Sequence, residues 1–156
     1  MDPVHTGLDR LAADPSPIGR RHWALLANHA AVTRDLEPAR GVLARSAAGP
    51  AVRLFAPEHG LDGVAQDMEA VADERDRLTG LEVRSLYGRD AATLAPRPDD
   101  LEGVEVVVVD LPDIGTRHYT FAATMAAVMG ACETAGVAVL VVDRPNPIGG
   151  VAREGG

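Results

Sequence analysis

The sequence predicts an α/β fold: a mostly parallel sheet of about five strands with helices on its faces. Three observations predict it. Short apolar, β-branched runs alternate with segments of helical spacing, the pattern of βαβ units joined by right-handed crossovers. The run at 104–109 is apolar almost throughout, as a strand covered on both faces reads. Finally, five runs end abruptly in polar residues with chemistry. Residues 23–27 end in Asn28-His29, and 52–56 in Pro57-Glu58-His59-Gly60. Residues 83–86 end in Tyr87-Gly88, and 106–109 in Asp110, with Asp113, Gly115 and Arg117 beyond. Residues 139–142 end in Asp143-Arg144-Pro145-Asn146-Pro147. If these runs lie parallel in one sheet, all five clusters share its carboxyl edge, where open α/β sheets bind ligands.

Each element follows from its local pattern. Residues 7–14 read as a short amphipathic helix with Leu8 and Leu11 on one side, then a connector at 16–21 leads into strand 23–27. Residues 35–46 carry helical spacing at Leu36, Ala39, Val42 and Leu43. Strand 52–56 follows. Residues 60–79 show no sustained period, and a connection of that length is often functional. After strand 83–86, two prolines allow 89–102 at most a broken helix. Strand 104–109 precedes the strongest helix, 116–135, whose Phe121, Met125, Val128, Met129 and Cys132 fall on one face. Gly136 is its expected stop, and strand 138–142 comes last. Residues 1–150 therefore form one expected domain, and 151–156 a glycine-rich tail.

Composition narrows the function. Aromatics are 3% of the chain, so Ala, Val and Leu must build the core. The formal net charge of −8, without a basic stripe, disfavours nucleic acid and anionic membranes as partners. One cysteine, Cys132, excludes an internal disulfide. No apolar run is long enough to span a bilayer, and the first residues lack the basic and apolar regions of a secretory signal. A cytoplasmic location is the resulting expectation.

Glu58 is the sharpest candidate for chemistry. It ends a strand between Pro57 and His59, where a partly desolvated carboxylate suits general-acid work. Asp110, Asp113 and Asp143 are the other acids expected on this edge, and glycoside hydrolysis usually needs two carboxyl groups flanking the bond. Each has a structural reading too: Glu58 paired with an arginine, Asp113 capping the helix near Thr116, Asp143 starting a turn. His29, His59 and His118 lack ligand spacing and cysteine support, so no metal is expected. Arg117 and Arg144 suit an anionic substrate group. Tyr87 and Tyr119 suit stacking on a sugar ring or packing under a loop. No glycine-rich phosphate loop follows strand 23–27, which argues against a dinucleotide site.

These residues resemble one family. Gly-Leu-Asp at 7–9, Leu-Leu-Ala-Asn-His at 25–29 and Leu-Phe-Ala-Pro-Glu-His-Gly-Leu at 54–61 are similar to the exo-β-N-acetylmuramidases of the NamZ type (DUF1343). So are Ser-Leu-Tyr-Gly at 85–88, Asp-Ile-Gly-Thr-Arg-His-Tyr-Thr at 113–120 and Asp-Arg-Pro-Asn-Pro-Ile-Gly-Gly at 143–150. The resemblance implies a Rossmann-like three-layer sandwich whose cleft is completed by a second, C-terminal domain absent from this chain. It implies release of N-acetylmuramic acid from the non-reducing ends of peptidoglycan fragments, with no cofactor.

On that resemblance, Glu58 is the catalytic acid/base. Among the acids expected on the edge, Asp110, Asp113 or Asp143 would orient it or stabilise positive charge at the anomeric carbon, with Asp110 and Asp143 taken as the catalytic partners. Asn28, His29, His59, Tyr87, Asp113, Arg117, Tyr119, Arg144 and Asn146 would hold the sugar, an arginine meeting its lactyl carboxylate. Two positions depart from the family pattern. Pro112 stands where a glutamine is usual, and Gln66-Asp67-Met68-Glu69 replaces a glycine-containing loop. The alternatives are a non-catalytic sugar-binding module, which would bind without turnover, and a metal-dependent hydrolase, which chelators would silence.

Overall fold

The structure, a computed structural model, describes residues 4–65, 72–88, 94–152 and 154. Among the described residues, six strands form one sheet: β1 (Trp23–Ala27), β2 (Ala51–Ala56), β3 (Glu74–Arg75), β4 (Glu82–Ser85), β5 (Val106–Asp110) and β6 (Ala138–Val141). Their spatial order is β3-β4-β2-β1-β5-β6, and every pairing is parallel except β3 with β4. β1 is central: Leu25 lies opposite Leu54 of β2 and Val108 of β5.

Parallel strands need crossovers, and these cover both faces. Helices α1 (Gly7–Ala13) and α2 (Ala39–Ala44) lie on one face, and Leu8, Leu11 and Leu43 pack there against Trp23, Leu25, Leu54, Val106 and Val108. Helix α3 (Phe121–Ala135) covers the other, where Val128 and Cys132 meet Ala24, Leu26, Phe55, Val107 and Val109. Alternate residues of β1 thus enter opposite core layers, as the strand period of two requires. The result is the three-layer sandwich. Trp23 is fully buried, and its indole N–H is satisfied by the Gly49 carbonyl at 2.7 Å.

Three details correct the sequence reading. The expected helix at 35–46 shortens to α2, because Val32 and Pro38 form an antiparallel bridge across a tight turn. Leu36 sits in that turn at φ 63 and is 77% exposed, so it is not a core residue. The expected helix at 116–135 begins only at Phe121. Met129 on its predicted apolar face is exposed, and Met125 is only partly buried. The long connection at 60–79 contains a strand, β3, whose charged residues pair with β4. Of 89–102, residues 94–102 are described, and they contain a 3₁₀ turn, Pro98–Leu101. The departure at 66–69 lies outside the described residues.

An ion cluster ties that 3₁₀ turn to β4. Asp100, which is buried, accepts from the Arg97 backbone at 3.0 Å and side chain at 3.1 Å, with Arg84 Nε at 3.3 Å. Burial pushes the Asp100 carboxyl up, but the Arg97 and Arg84 contacts outweigh it and hold it below its ordinary value. The contribution to stability is therefore present above the ordinary carboxyl range and disappears as pH falls through the lowered value.

Leu25→Ala in the fully buried centre of β1 should cost about 2–5 kcal/mol of unfolding free energy. Leu36→Ala should change it by less than about 0.5 kcal/mol. Urea unfolding of both variants checks the assignment of core and turn.

Candidate functional site

Because β1, β2, β4, β5 and β6 run parallel, their carboxyl ends share one edge. Asn28 leaves β1, Glu58 follows β2, Tyr87 follows β4, Asp110 closes β5 and Asp143 follows β6. The five clusters therefore meet on one side of the sheet.

Glu58 is 9% exposed. Its Oε2 accepts a hydrogen bond of 2.8 Å from the Thr120 hydroxyl, which sits just before α3. Glu58 and Tyr87 line a pocket of about 230 Å³ with Leu94, Thr120, Ala123, Thr124 and Ala127. The small side chains of α3 leave this space beside the carboxylate. Sequence reading missed the roles of Thr120 and of this helix wall. The spacing of Thr120, Ala123, Thr124 and Ala127 at i, i+3, i+4 and i+7 is the signal that marks a single helix face.

Asp110 has a different environment. It is closed to solvent, and both carboxylate oxygens accept from Arg144, Nε to Oδ1 at 2.5 Å and Nη2 to Oδ2 at 2.8 Å. Burial raises the Asp110 carboxyl, and the Arg144 hydrogen bonds and charge only partly offset this. Asp143 is exposed, and its carbonyl receives the Gly7 N–H at 2.8 Å, which seats α1 against the loop.

The remaining residues lie on the connecting loops. Asn28 is 2% exposed, with its Oδ1 accepting from Ala30 N–H at 3.1 Å. His29 is exposed and its ring lies against Gly63. A Cβ built there would sit 2.2 Å from Nδ1, and Gly63 has φ +69, so only glycine fits. His59 adopts φ 70, with its Nδ1 3.1 Å from the Ala65 carbonyl oxygen, which ties down the loop after β2. Asp113 is exposed and receives Gly115 N–H at 3.0 Å, so it builds a local turn and does not cap α3. Asn146 lies against Gly115, at φ +75, where a Cβ would come within 2.7 Å of the amide. That approach joins the loop after β5 to the loop after β6. Tyr119 packs against Phe121 with the rings tilted by 55° and centroids 4.6 Å apart, and burial, with Asp113 nearby, raises its hydroxyl pKa. Arg117 and His118 are exposed, and both line a wide open depression with Thr116 and Ile148. Among the described residues, no three His, Cys, Asp or Glu side chains converge as a metal site, and no helix is long and apolar enough to cross a membrane.

A buried carboxylate and a buried carboxylate–guanidinium pair lie at the carboxyl edge of the parallel sheet, which makes this an α/β domain with a polar candidate site. Similarity to known proteins specifies the class. The chain belongs to the exo-β-N-acetylmuramidase NamZ family: the model of the family's N-terminal part matches residues 23–156. The peptidoglycan β-N-acetylmuramidase NamZ of Bacillus subtilis (strain 168) is 38% identical over 153 residues, 97% of this chain and 36% of that protein. Two crystal structures of DUF1343 family proteins from Bacteroides fragilis NCTC 9343 share the fold. One has a TM-score of 0.84 at 33% identity, covering 95% of this chain and 36% of that one. The other has a TM-score of 0.72 at 25% identity, covering 94% and 36%. The chain thus spans 36% of the length of each of these relatives.

Asp110→Ala should destabilise the domain by about 3–5 kcal/mol, because it strands a mostly buried Arg144. Asp143→Ala, at an exposed position, should change stability by less than about 0.5 kcal/mol. Chemical denaturation distinguishes the two acids.

Proposed function

We propose that this chain is the catalytic-side domain of a glycosidase that releases N-acetylmuramic acid from the non-reducing ends of peptidoglycan fragments. One observation carries the reading. Glu58, in the Pro-Glu-His-Gly segment, is a buried carboxylate held by a hydroxyl and open to a pocket beside Tyr87. The match to the B. subtilis muramidase supplies the substrate class.

Glu58 acts as the general acid, delivering its proton to the glycosidic oxygen as the bond to the anomeric carbon breaks. The Thr120 hydroxyl donates to Oε2, so it fixes the carboxyl orientation and leaves Oε1 for the sugar. Asp110 acts through Arg144. Its two hydrogen bonds hold the guanidinium plane at the edge, where a cation suits the lactyl carboxylate of muramic acid. Asp143, exposed on the same edge, is the carboxylate available as the second catalytic group. Tyr87, Tyr119, Asn146, Arg117 and the two histidines of the loops after β1 and β2 position the sugar. A second domain, from the part of the relatives' length that this chain does not span, closes the opposite side of the cleft. It excludes water and fixes the reactive pose.

The test is turnover of a chromogenic N-acetylmuramic acid glycoside by this domain joined to a family C-terminal domain. Glu58→Gln should lower kcat by about 10²–10⁴-fold with the fold intact, the usual contribution of a general acid–base group. A loss below about tenfold on that scale would place the acid elsewhere. Saccharide binding without turnover in the unsubstituted protein would identify a sugar-binding module instead. Turnover should also survive exhaustive chelation. Stoichiometric zinc whose removal abolishes activity would contradict the metal-free mechanism.

A further inference from the structure

Ligand pockets are mostly apolar, with a few placed polar groups, and the lining decides what they admit. The wall of the pocket beside Glu58 comes from Ala123, Thr124 and Ala127 of α3 and from Leu94, which precedes the 3₁₀ turn. All four stand outside the polar clusters that end the strands. The core residues of α3 are Phe121, Val128 and Cys132, so the wall is a separate face of the helix. Ala123 is exposed and Leu94 is 43% exposed, so the wall can be reached from solvent.

The chemistry of this wall is narrow. The Thr120 hydroxyl donates to Glu58 Oε2 at 2.8 Å, and the Thr124 hydroxyl donates to the Thr120 carbonyl at 3.3 Å. Both hydroxyl protons are thus engaged within the protein, and the side chains of Leu94, Ala123 and Ala127 offer only carbon. Glu58 is nine-tenths buried, and among the described residues no group donates to its Oε1. No lysine, arginine or histidine is among the described lining residues. The pocket of about 230 Å³ therefore pairs a carbon wall with one open carboxylate oxygen. An anionic group would find no cation there and would lie against Glu58, and a buried charge without a partner is costly. The wall suits an uncharged group that ends in a methyl.

We propose that this wall is the subsite for the acetyl group of the sugar's C2 acetamido substituent, with Leu94, Ala123 and Ala127 as specificity-determining residues that contact its methyl. The assignment rests on the glycosidase reading. On that reading Glu58 meets the glycosidic oxygen, and C2 is bonded directly to the anomeric carbon that carries this oxygen. The acetyl methyl hangs on an uncharged carbonyl, so it can enter the wall alone. The other methyl of N-acetylmuramic acid is on the lactyl ether, one ring carbon further away, and it shares its carbon with the carboxylate. Burying that methyl would carry an anion toward a wall without a cation. A sugar lacking the acetyl group leaves the wall unfilled, and one small apolar group in such a pocket is worth about 10–200-fold in selectivity.

The test reads the contact directly. The two methyl groups of N-acetylmuramic acid give separate NMR signals, so intermolecular NOEs from isotope-labelled alanine methyls of the 156-residue chain tell them apart. Ala123 and Ala127 should show NOEs to the acetyl methyl. NOEs to the lactyl methyl alone would overturn the assignment. So would sugar-induced shifts at Glu58 and Tyr87 without NOEs from these alanines; either result leaves the glycosidase reading standing. Absence of any NOE or shift would also overturn it. In the domain joined to a family C-terminal domain, Ala127→Leu places an isopropyl group in the pocket. It should lower kcat/KM on an N-acetylmuramic acid glycoside by about tenfold or more. Ala126→Leu, at an exposed position outside the lining, should change it by less than about threefold, the scale of a surface substitution. Equal effects of the two variants would overturn the subsite, and the NOEs of the unsubstituted chain decide where a variant fails to fold. Acetyl NOEs without turnover by the unsubstituted two-domain protein would keep the subsite and overturn the glycosidase reading.

Discussion

Parallel pairing around β1 is the constraint on which the rest of the molecule depends. Two strands running the same way cannot be joined by a tight turn, so the chain must return across a face of the sheet before each new strand. That return places α2 on one side, where α1 joins it from before the first strand, and α3 on the other. It also forces every strand to end at the same edge. Residues as distant in sequence as Asn28, Glu58 and Asp143 are brought to that edge by this rule. The central strands β1 and β5 are buried along their whole length, and the polar residues of the edge begin at or just past their ends.

The edge holds two acids that the fold treats differently. Asp110 is still inside β5, so its carboxylate is desolvated and must be paired, and Arg144 supplies both hydrogen bonds. Glu58 lies past the end of β2 and is held by one neutral hydroxyl. Glu58 is engaged on one oxygen and Asp110 is clamped on both. A residue or two in position relative to the strand end separates the two environments.

Much of this was legible in the sequence, and the parts that were not have physical reasons. The five parallel strands and the shared edge follow from short runs rich in apolar residues, whose burial overrides local preference. Helix starts were harder. Thr116 precedes an apolar period, but Gly115 at positive φ and the turn built by Asp113 delay α3 until Phe121. Leu36 carries the helical spacing of its neighbours. Pro38 fixes φ and lacks an N–H, so the chain makes a turn before it and starts the helix after it. Strand β3 consists of Glu74 and Arg75, which have no apolar pattern to announce them. It exists because the edge of β4 offers a partner. The Thr120–Glu58 hydrogen bond spans 62 positions and has no local signature at all.

The Asp110–Arg144 pair shows what the edge requires beyond stability. A buried ion pair is a weak source of folding energy, since desolvating both groups offsets most of their attraction, and apolar residues of similar volume often serve as well or better. Its contribution here is geometric. Two hydrogen bonds fix the plane of the guanidinium, so the cation cannot swing away with the loop after β6 that carries it. The same loop is tied down a second time where Asn146 meets Gly115. A flexible surface arginine would attract an anion equally well at long range, but it would lose side-chain freedom on every binding event. Anchoring Arg144 on Asp110 places that loss in folding instead of binding. On the proposed function, the buried carboxylate belongs to the ligand site, acting at one remove through the cation it holds.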